Sequence, residues 1–106
     1  MVRVRKRAAA RRDLIRQWVW YAEHASVKVA DKFLRATEKT LNLLAAQPQS
    51  GISLFVNKPK LEGLRRFPVL DGFESVLLFY FPLPDGIDLV RVRSGYLDIG
   101  PDDFDV

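Results

Sequence analysis

The sequence predicts an α+β domain in the order β-α-α-β-β-β, with an N-terminal helical hairpin laid on one face of a small antiparallel sheet. Three observations predict it. Residues 8–46 carry two stretches of helically spaced apolar residues, parted by a break of only a few residues. Residues 64–94 carry three strand-like segments in succession. A lone alternating segment, Val2-Arg-Val-Arg5, precedes the helices. Strands gathered after a helical pair favour segregated layers, with helices on one face of an antiparallel sheet.

The first segment alternates apolar and basic residues, the period of a half-exposed strand. Ala8-Ala9-Ala10 then switches to strong helix formers. Leu14, Ile15, Trp18, Val19, Tyr21, Ala22 and Ala25 give the first helix a broad apolar face. His24-Ala25-Ser26 breaks it, and Ser26 is placed to cap the second helix. There Ala30, Phe33, Leu34, Thr37, Leu41, Leu44 and Ala45 recur at helical spacing, opposite Lys28, Lys32, Arg35, Lys39 and Asn42. Pro48 and Gly51 end the helix. So short a break makes the two helices an antiparallel hairpin.

Residues 48–63, with two prolines and two glycines, read as a connecting loop. Leu64 to Val69 is a short strand whose Pro68 places it at an edge or a strand end. Glu74 to Phe81 is apolar on both faces, as a central strand is, and Leu89 to Ser94 alternates. Pro84-Asp85-Gly86 supplies the turn between the last two. The acidic tail after Gly100, with Asp102, Asp103 and Asp105, reads as flexible.

The chain has 106 residues, room for one two-layer core, here placed in residues 1–100. With 48% hydrophobic and 28% charged residues it has the profile of a soluble globular domain, expected in the cytoplasm. No apolar run reaches the ~20 residues that span a bilayer. The basic start is not followed by the apolar stretch of a secretory signal. Cysteine is absent, which excludes disulfides, thiolate chemistry and cysteine-ligated zinc. No nucleotide loop, metal cluster or nucleophile elbow is present, so no cofactor is expected. The net charge of +4 fits an acidic partner, though it also simply keeps a small protein soluble.

Neighbouring side chains on a strand point to opposite faces. If the valines and Phe67 face the helices, Arg3, Arg5, Arg66, Arg91 and Arg93 share the open face. Arginine's rigid fork suits phosphates and carboxylates, although any uncovered sheet face needs polar residues. The central strand adds either Val76, Leu78 and Tyr80 or Leu77, Phe79 and Phe81 to that face. An apolar strip beside arginines fits a protein partner as readily as RNA. Trp20 lies on the first helix away from the Leu14 and Trp18 stripe, beside Asp13, Arg16, Gln17 and His24. It is either an exposed interface anchor or packs under the 48–63 loop or on the second helix. His24, Asp31, Glu38, Lys58 and Lys60 read as solvated surface.

Six segments in order carry a resemblance to one family. They are Ala10-Arg-Arg-Asp-Leu14, the Trp18–Ala22 segment, Ala30-Asp-Lys-Phe-Leu34 with its helix end at Leu43-Leu-Ala-Ala-Gln-Pro48, Leu64-Arg-Arg-Phe-Pro-Val69, Leu78-Phe-Tyr80 and Val90-Arg-Val-Arg-Ser-Gly95 with Asp98. Over residues 8–99 the chain resembles the RelE/ParE toxins of type II toxin–antitoxin systems, and ParE more than RelE. It departs from them at Ser94, where the family often has His, at Leu97, where it has Arg, and at Gln17, in place of a usual aliphatic residue.

The resemblance implies a toxin that inhibits DNA gyrase without catalysing a reaction and is neutralised by an acidic, partly disordered antitoxin. The target-contact candidates are Arg3, Arg5, Arg66, Arg91, Arg93 and Tyr96. Trp20, Leu78 and Tyr80 are the antitoxin-contact candidates. The alternatives are a ribosome-dependent mRNA endoribonuclease of the RelE type, using Arg66, Arg93 and Tyr96, and a degenerate, non-toxic binding module, which the Leu97 departure motivates. Arginine is a poor general base, and no His or Glu pair accompanies these residues.

Overall fold

In the computed structural model, which describes residues 2–54 and 58–95, the alternating start forms strand β1 (Arg3–Lys6). Helix α1 (Ala8–His24) and helix α2 (Val27–Ala46) follow as the expected hairpin. Ser26 caps α2, its hydroxyl accepting the Val29 N–H at 3.1 Å. Two short 3-10 turns, Pro48–Ser50 and Pro59–Leu61, lead through the connecting segment. Within that segment Ile52–Ser53 forms a two-residue strand, β2. Strands β3 (Arg65–Pro68), β4 (Val76–Leu83) and β5 (Gly86–Ser94) complete the order.

The predicted α+β layering is the one observed, with two additions. Strand β2, which the sequence reading places in a loop, pairs antiparallel to β3. The sheet order is β1-β5-β4-β3-β2, and β1 runs parallel to β5, so the sheet is mixed. The helical hairpin and strands β2–β4 all lie between β1 and β5 in the chain, the long connection that a parallel pair needs. At Gly86 the Arg3 backbone packs against the α-carbon so closely that a Cβ would overlap the Arg3 carbonyl.

The main core lies between hairpin and sheet. Phe33, Leu41 and Leu44 of α2 and Leu14 of α1 pack on Leu78, Tyr80, Ile87, Leu89 and Val92. Leu34, placed on this stripe by its spacing, lies outside the buried core and is 38% exposed. Tyr21, Phe33 and Phe73 meet ring to ring, with centroids 5.2–5.5 Å apart. The alternation of β4 therefore resolves one way: Val76, Leu78 and Tyr80 face the helices, and Leu77, Phe79 and Phe81 face away.

That second face is not bare, contrary to the sequence expectation. Leu61 and Leu64 of the connecting segment cover Phe79 and Val90, and Leu54, Leu77 and Phe81 pack at the margin. Strict alternation puts Val90 and Val92 on one face, yet they belong to clusters on opposite faces. The reason is a bulge. Phe79 pairs with Arg91 and Tyr80 with Leu89, which leaves Val90 as an extra residue on β5 and shifts its alternation by one.

Candidate functional site

Strand β1 pairs only with residues 86–89 of β5, so the last five residues of β5 run past it. Helix α1 fills the space beside them. Asp13, buried on α1, accepts the Val92 N–H at 2.9 Å. The same carboxylate takes the Arg91 guanidinium at 2.7 Å from Nε and 3.1 Å from Nη2. A two-pronged arginine–carboxylate contact of this kind is among the stronger polar pairs. Asp13 thus does for the β5 edge what a neighbouring strand would do.

Between the C-terminal half of α1 and the ends of β4 and β5 lies an open groove of about 510 Å³. Asp13, Arg16, Gln17, Trp20 and Tyr21 form one wall; Ser75, Val76, Val92, Arg93 and Ser94 form the other. Trp20 is 51% exposed, stacked on His24 and edge-on to Tyr21. At that exposure the indole is covered neither by α2 nor by the described part of the connecting segment. His24 closes the last turn of α1, its Nδ1 lying 2.9 Å from the Trp20 carbonyl. Trp18, by contrast, turns toward α2 and donates to Asp31 at 3.1 Å.

The five arginines assigned to the open face divide. Arg66 stands beside Phe79 in the cross-strand register, and Arg93 beside Leu77. Among the described residues, neither has a carboxylate within ion-pair distance. Arg91 is committed to Asp13. At the other end of the face Arg3 lies 3.5 Å from Asp85. Arg5 is exposed beside it, paired in register with Asp88. Arg7 adds a residue the sequence candidates lack. Its guanidinium binds Asp88 at 2.9 and 3.1 Å and lies over the Phe81 ring. Acidic partners therefore offset the basic charge at the β1 end and leave Arg66 and Arg93 at the other. Asp88 and Arg93 are five residues apart on β5, so the two ends are separated by roughly 16 Å.

Leu78 and Tyr80, expected from the sequence to contact the antitoxin, are fully buried beneath the hairpin and present no surface to a partner. Alternation determines which residues share a face but not which face is covered. Tyr80 has a structural task instead: its hydroxyl accepts the Gly51 N–H at 2.9 Å and donates to the Pro48 carbonyl at 2.8 Å. Burial raises its pKa above the usual 10.0, with the Gly51 N–H pulling the other way. A Cβ at Gly51 would lie 2.5 Å from that hydroxyl, which is why glycine stands there. Arg65 holds the same corner by donating to the Gly51 carbonyl at 2.5 Å. Tyr96, Leu97, Asp98 and the acidic tail lie outside the described residues.

Arg16, Gln17 and Tyr21 line the groove, yet the sequence alone does not single them out as site residues; it places Arg16 only as a neighbour of Trp20. Helical spacing does put Arg16 on the side of Trp20. Its meeting with Arg93, 77 positions later in the chain, depends on how far α1 overruns the end of β1.

No helix among the described residues is long and apolar enough to cross a membrane. Comparison with individual curated proteins gave no match. Residues 4–96 match the sequence model of the ParE toxin of type II toxin–antitoxin system, parDE, and the chain belongs to that toxin family, whose members act beside a cognate antitoxin.

Proposed function

We propose that the chain is a growth-arresting toxin that binds DNA gyrase through the Arg66–Arg93 end of its sheet and catalyses no reaction itself. The observation that carries this reading is the pair of arginines flanking the half-buried Leu77 and the buried Phe79 without carboxylate partners among the described residues. Two rigid guanidinium forks beside apolar side chains suit a protein surface bearing carboxylates. Arginine stays protonated at neutral pH, so this pair steers and binds but does not abstract protons. Arg5 and Arg3, partly offset by Asp85 and Asp88, stand at the margin of the contact.

The test is negative supercoiling by purified gyrase in the presence of the purified, antitoxin-free protein. Inhibition is expected, with relief by the antitoxin, and an Arg66→Glu/Arg93→Glu variant of normal fold loses it. Growth arrest in cells without gyrase inhibition in the tube overturns the reading in favour of mRNA cleavage on the ribosome, and a translation assay detects that cleavage. A folded protein that neither arrests growth nor inhibits gyrase is a non-toxic binding module.

A further inference from the structure

We infer that the chain pairs with a second copy of itself through the outer ridge of α1, which packs antiparallel on the same ridge of the other copy about a two-fold axis level with Gln17. The inference goes beyond the toxin reading and does not depend on the target. The ridge points away from the sheet, so such a dimer leaves the second face of the sheet uncovered in both copies.

The first observation is apolar surface on the solvent side of a helix. Helix α1 buries Ala10, Asp13 and Leu14 and half-buries Gln17 and Tyr21. At about 100° per residue, the side opposite these carries Arg12, Ile15, Arg16, Val19 and Glu23. All five are exposed, Ile15 to 64% and Val19 to 40%. The broad apolar face of α1 is therefore covered on one side only. Helix propensity gives no reason for isoleucine and valine there, since β-branched residues form helix less readily than alanine or the long polar residues. Adjacent exposed apolar side chains mark a contact surface. The patch continues onto α2: the Trp18–Asp31 hydrogen bond sets the register of the antiparallel hairpin, which puts the exposed Leu34 level with Ile15.

Charge identifies the occupant. Arg12 and Arg16 stand on the N-terminal part of the ridge, and Glu23 stands near its C-terminal end, about 16 Å from Arg12 along the helix. Neither Arg12 nor Glu23 has an opposite charge three or four positions away on α1. Neither forms an ion pair among the described residues. A ridge that is positive at one end, negative at the other and apolar between is complementary to its own reverse. Turned about the two-fold axis, Ile15 of each copy meets Val19 of the other. Arg12 of each then stands within one residue's rise of Glu23 of the other, and the symmetry makes the contact twice. A parallel arrangement would set arginine on arginine instead. The net charge of +4 opposes association, and one helix pair is a small contact, so the dimer is a reversible one with micromolar affinity.

The arrangement fixes a distance that can be tested. Packed helices lie about 8–10 Å apart, axis to axis. At that spacing the two Arg16 α-carbons, each one residue from the level of the axis, come within about 6 Å of each other. That is inside the range of about 4.4–6.8 Å which a disulfide spans. The two Arg12 α-carbons are about 15 Å apart along the helices and cannot be bridged. The chain has no cysteine, so an introduced one is its sole thiol.

Sedimentation equilibrium of the full chain, up to about 1 mM, measures association. Mild oxidation of Arg16→Cys and of Arg12→Cys reports which positions meet, and circular dichroism checks the fold of every variant. The expected result is a reversible monomer–dimer equilibrium that Ile15→Glu/Val19→Glu abolishes. Arg12→Glu and Glu23→Arg should each weaken the dimer by about tenfold or more, because two attractive contacts become repulsive. The combined Arg12→Glu/Glu23→Arg should return to within about threefold of wild type. Arg16→Cys should become a disulfide-linked dimer, and Arg12→Cys should not.

A wild type that stays monomeric at that concentration overturns the inference and leaves the ridge to solvent or to another protein. A dimer indifferent to Ile15→Glu/Val19→Glu uses a different surface and overturns it as well. Charge reversals that fail to rescue each other, or an Arg12→Cys that links as readily as Arg16→Cys, overturn the antiparallel register. Gyrase inhibition by the wild type is read separately in the supercoiling assay, so the toxin reading stands or falls on its own.

Discussion

Replacing Asp13 by Ala should remove a large part of the stability of this domain. The carboxylate is buried and accepts three hydrogen bonds, two from Arg91 and one from the Val92 N–H. Removing one member of a buried ion pair costs about 3–5 kcal/mol, because the remaining charge has lost its counter-ion. A buried N–H left without an acceptor costs about 1–3 kcal/mol. Both losses pass through one carboxylate and are not additive. The expected total is therefore about 3–5 kcal/mol, set against the roughly 5–15 kcal/mol by which small domains are stable.

Urea denaturation measures the effect. With a slope of about 1–3 kcal/mol per molar urea, the midpoint should fall by about 2 M. Asp13→Asn keeps an oxygen for the Val92 N–H and should fall less. Arg91→Ala should also destabilise, and the double variant Asp13→Ala/Arg91→Ala should cost clearly less than the sum of the two single variants. A loss below about 1 kcal/mol in Asp13→Ala, or strict additivity in the double variant, refutes the picture of one carboxylate sealing the β5 edge.

Two further predictions concern the residues that the structure moves from surface to core. Leu78→Ala should lose about 2–5 kcal/mol in the same denaturation assay, the cost of a cavity under the hairpin, where a surface contact would change stability by a few tenths. Tyr80→Phe should cost about 1–3 kcal/mol near neutral pH by stripping the Gly51 N–H and the Pro48 carbonyl of their partner. The pH dependence follows from the raised Tyr80 pKa. Below pH 10 the phenol is neutral folded and unfolded; above it the unfolded chain ionises first, so the wild type loses stability. The gap between wild type and Tyr80→Phe should therefore narrow as pH rises past 10, and a constant gap up to about pH 11.5 would contradict the burial of the phenol.

The fold is legible in the sequence because its signals are local. The Ala30, Phe33, Thr37, Leu41 and Leu44 stripe fixes α2 and its buried face, and Ser26 fixes its start. The Pro84-Asp85-Gly86 turn fixes the β4–β5 hairpin. The site is less legible because it depends on non-local facts. The extra residue at Val90 returns Val92 to the helix face while Val90 itself stays on the second face, and no turn residue or proline marks the bulge. Leu61 and Leu64 cover that face; hydrophobic residues at the end of a loop rich in proline and glycine resemble the start of the next strand. Arg91 looks equivalent to Arg93 by alternation, and only the position of Asp13 separates them. The match to the toxin family covers residues 4–96 and tells nothing of these distinctions, which belong to individual side chains.

The shortness of β1 links the stability of the domain to its candidate binding surface. A strand of four residues pairs with the first half of β5 only. An uncovered remainder would be an exposed edge, open to pairing with another chain. Lengthening β1 would close that edge, but it would also occupy the space in which α1 now lies against β5. The chain instead starts α1 early, at Ala8, and uses Asp13, in the second turn of the helix, to take the Val92 N–H. A helix standing beside a strand end packs less closely there than a strand would, and the remaining space is the groove lined by Arg16, Trp20 and Arg93. Asp13 therefore carries two consequences at once: it protects the edge from indiscriminate pairing, and it holds α1 at the distance that keeps the groove open. A substitution such as Asp13→Asn, which preserves the helix but loosens its hold on β5, should thus weaken gyrase binding at Arg93 beyond the loss expected from the folded fraction alone. Unchanged affinity per folded molecule would separate the two roles.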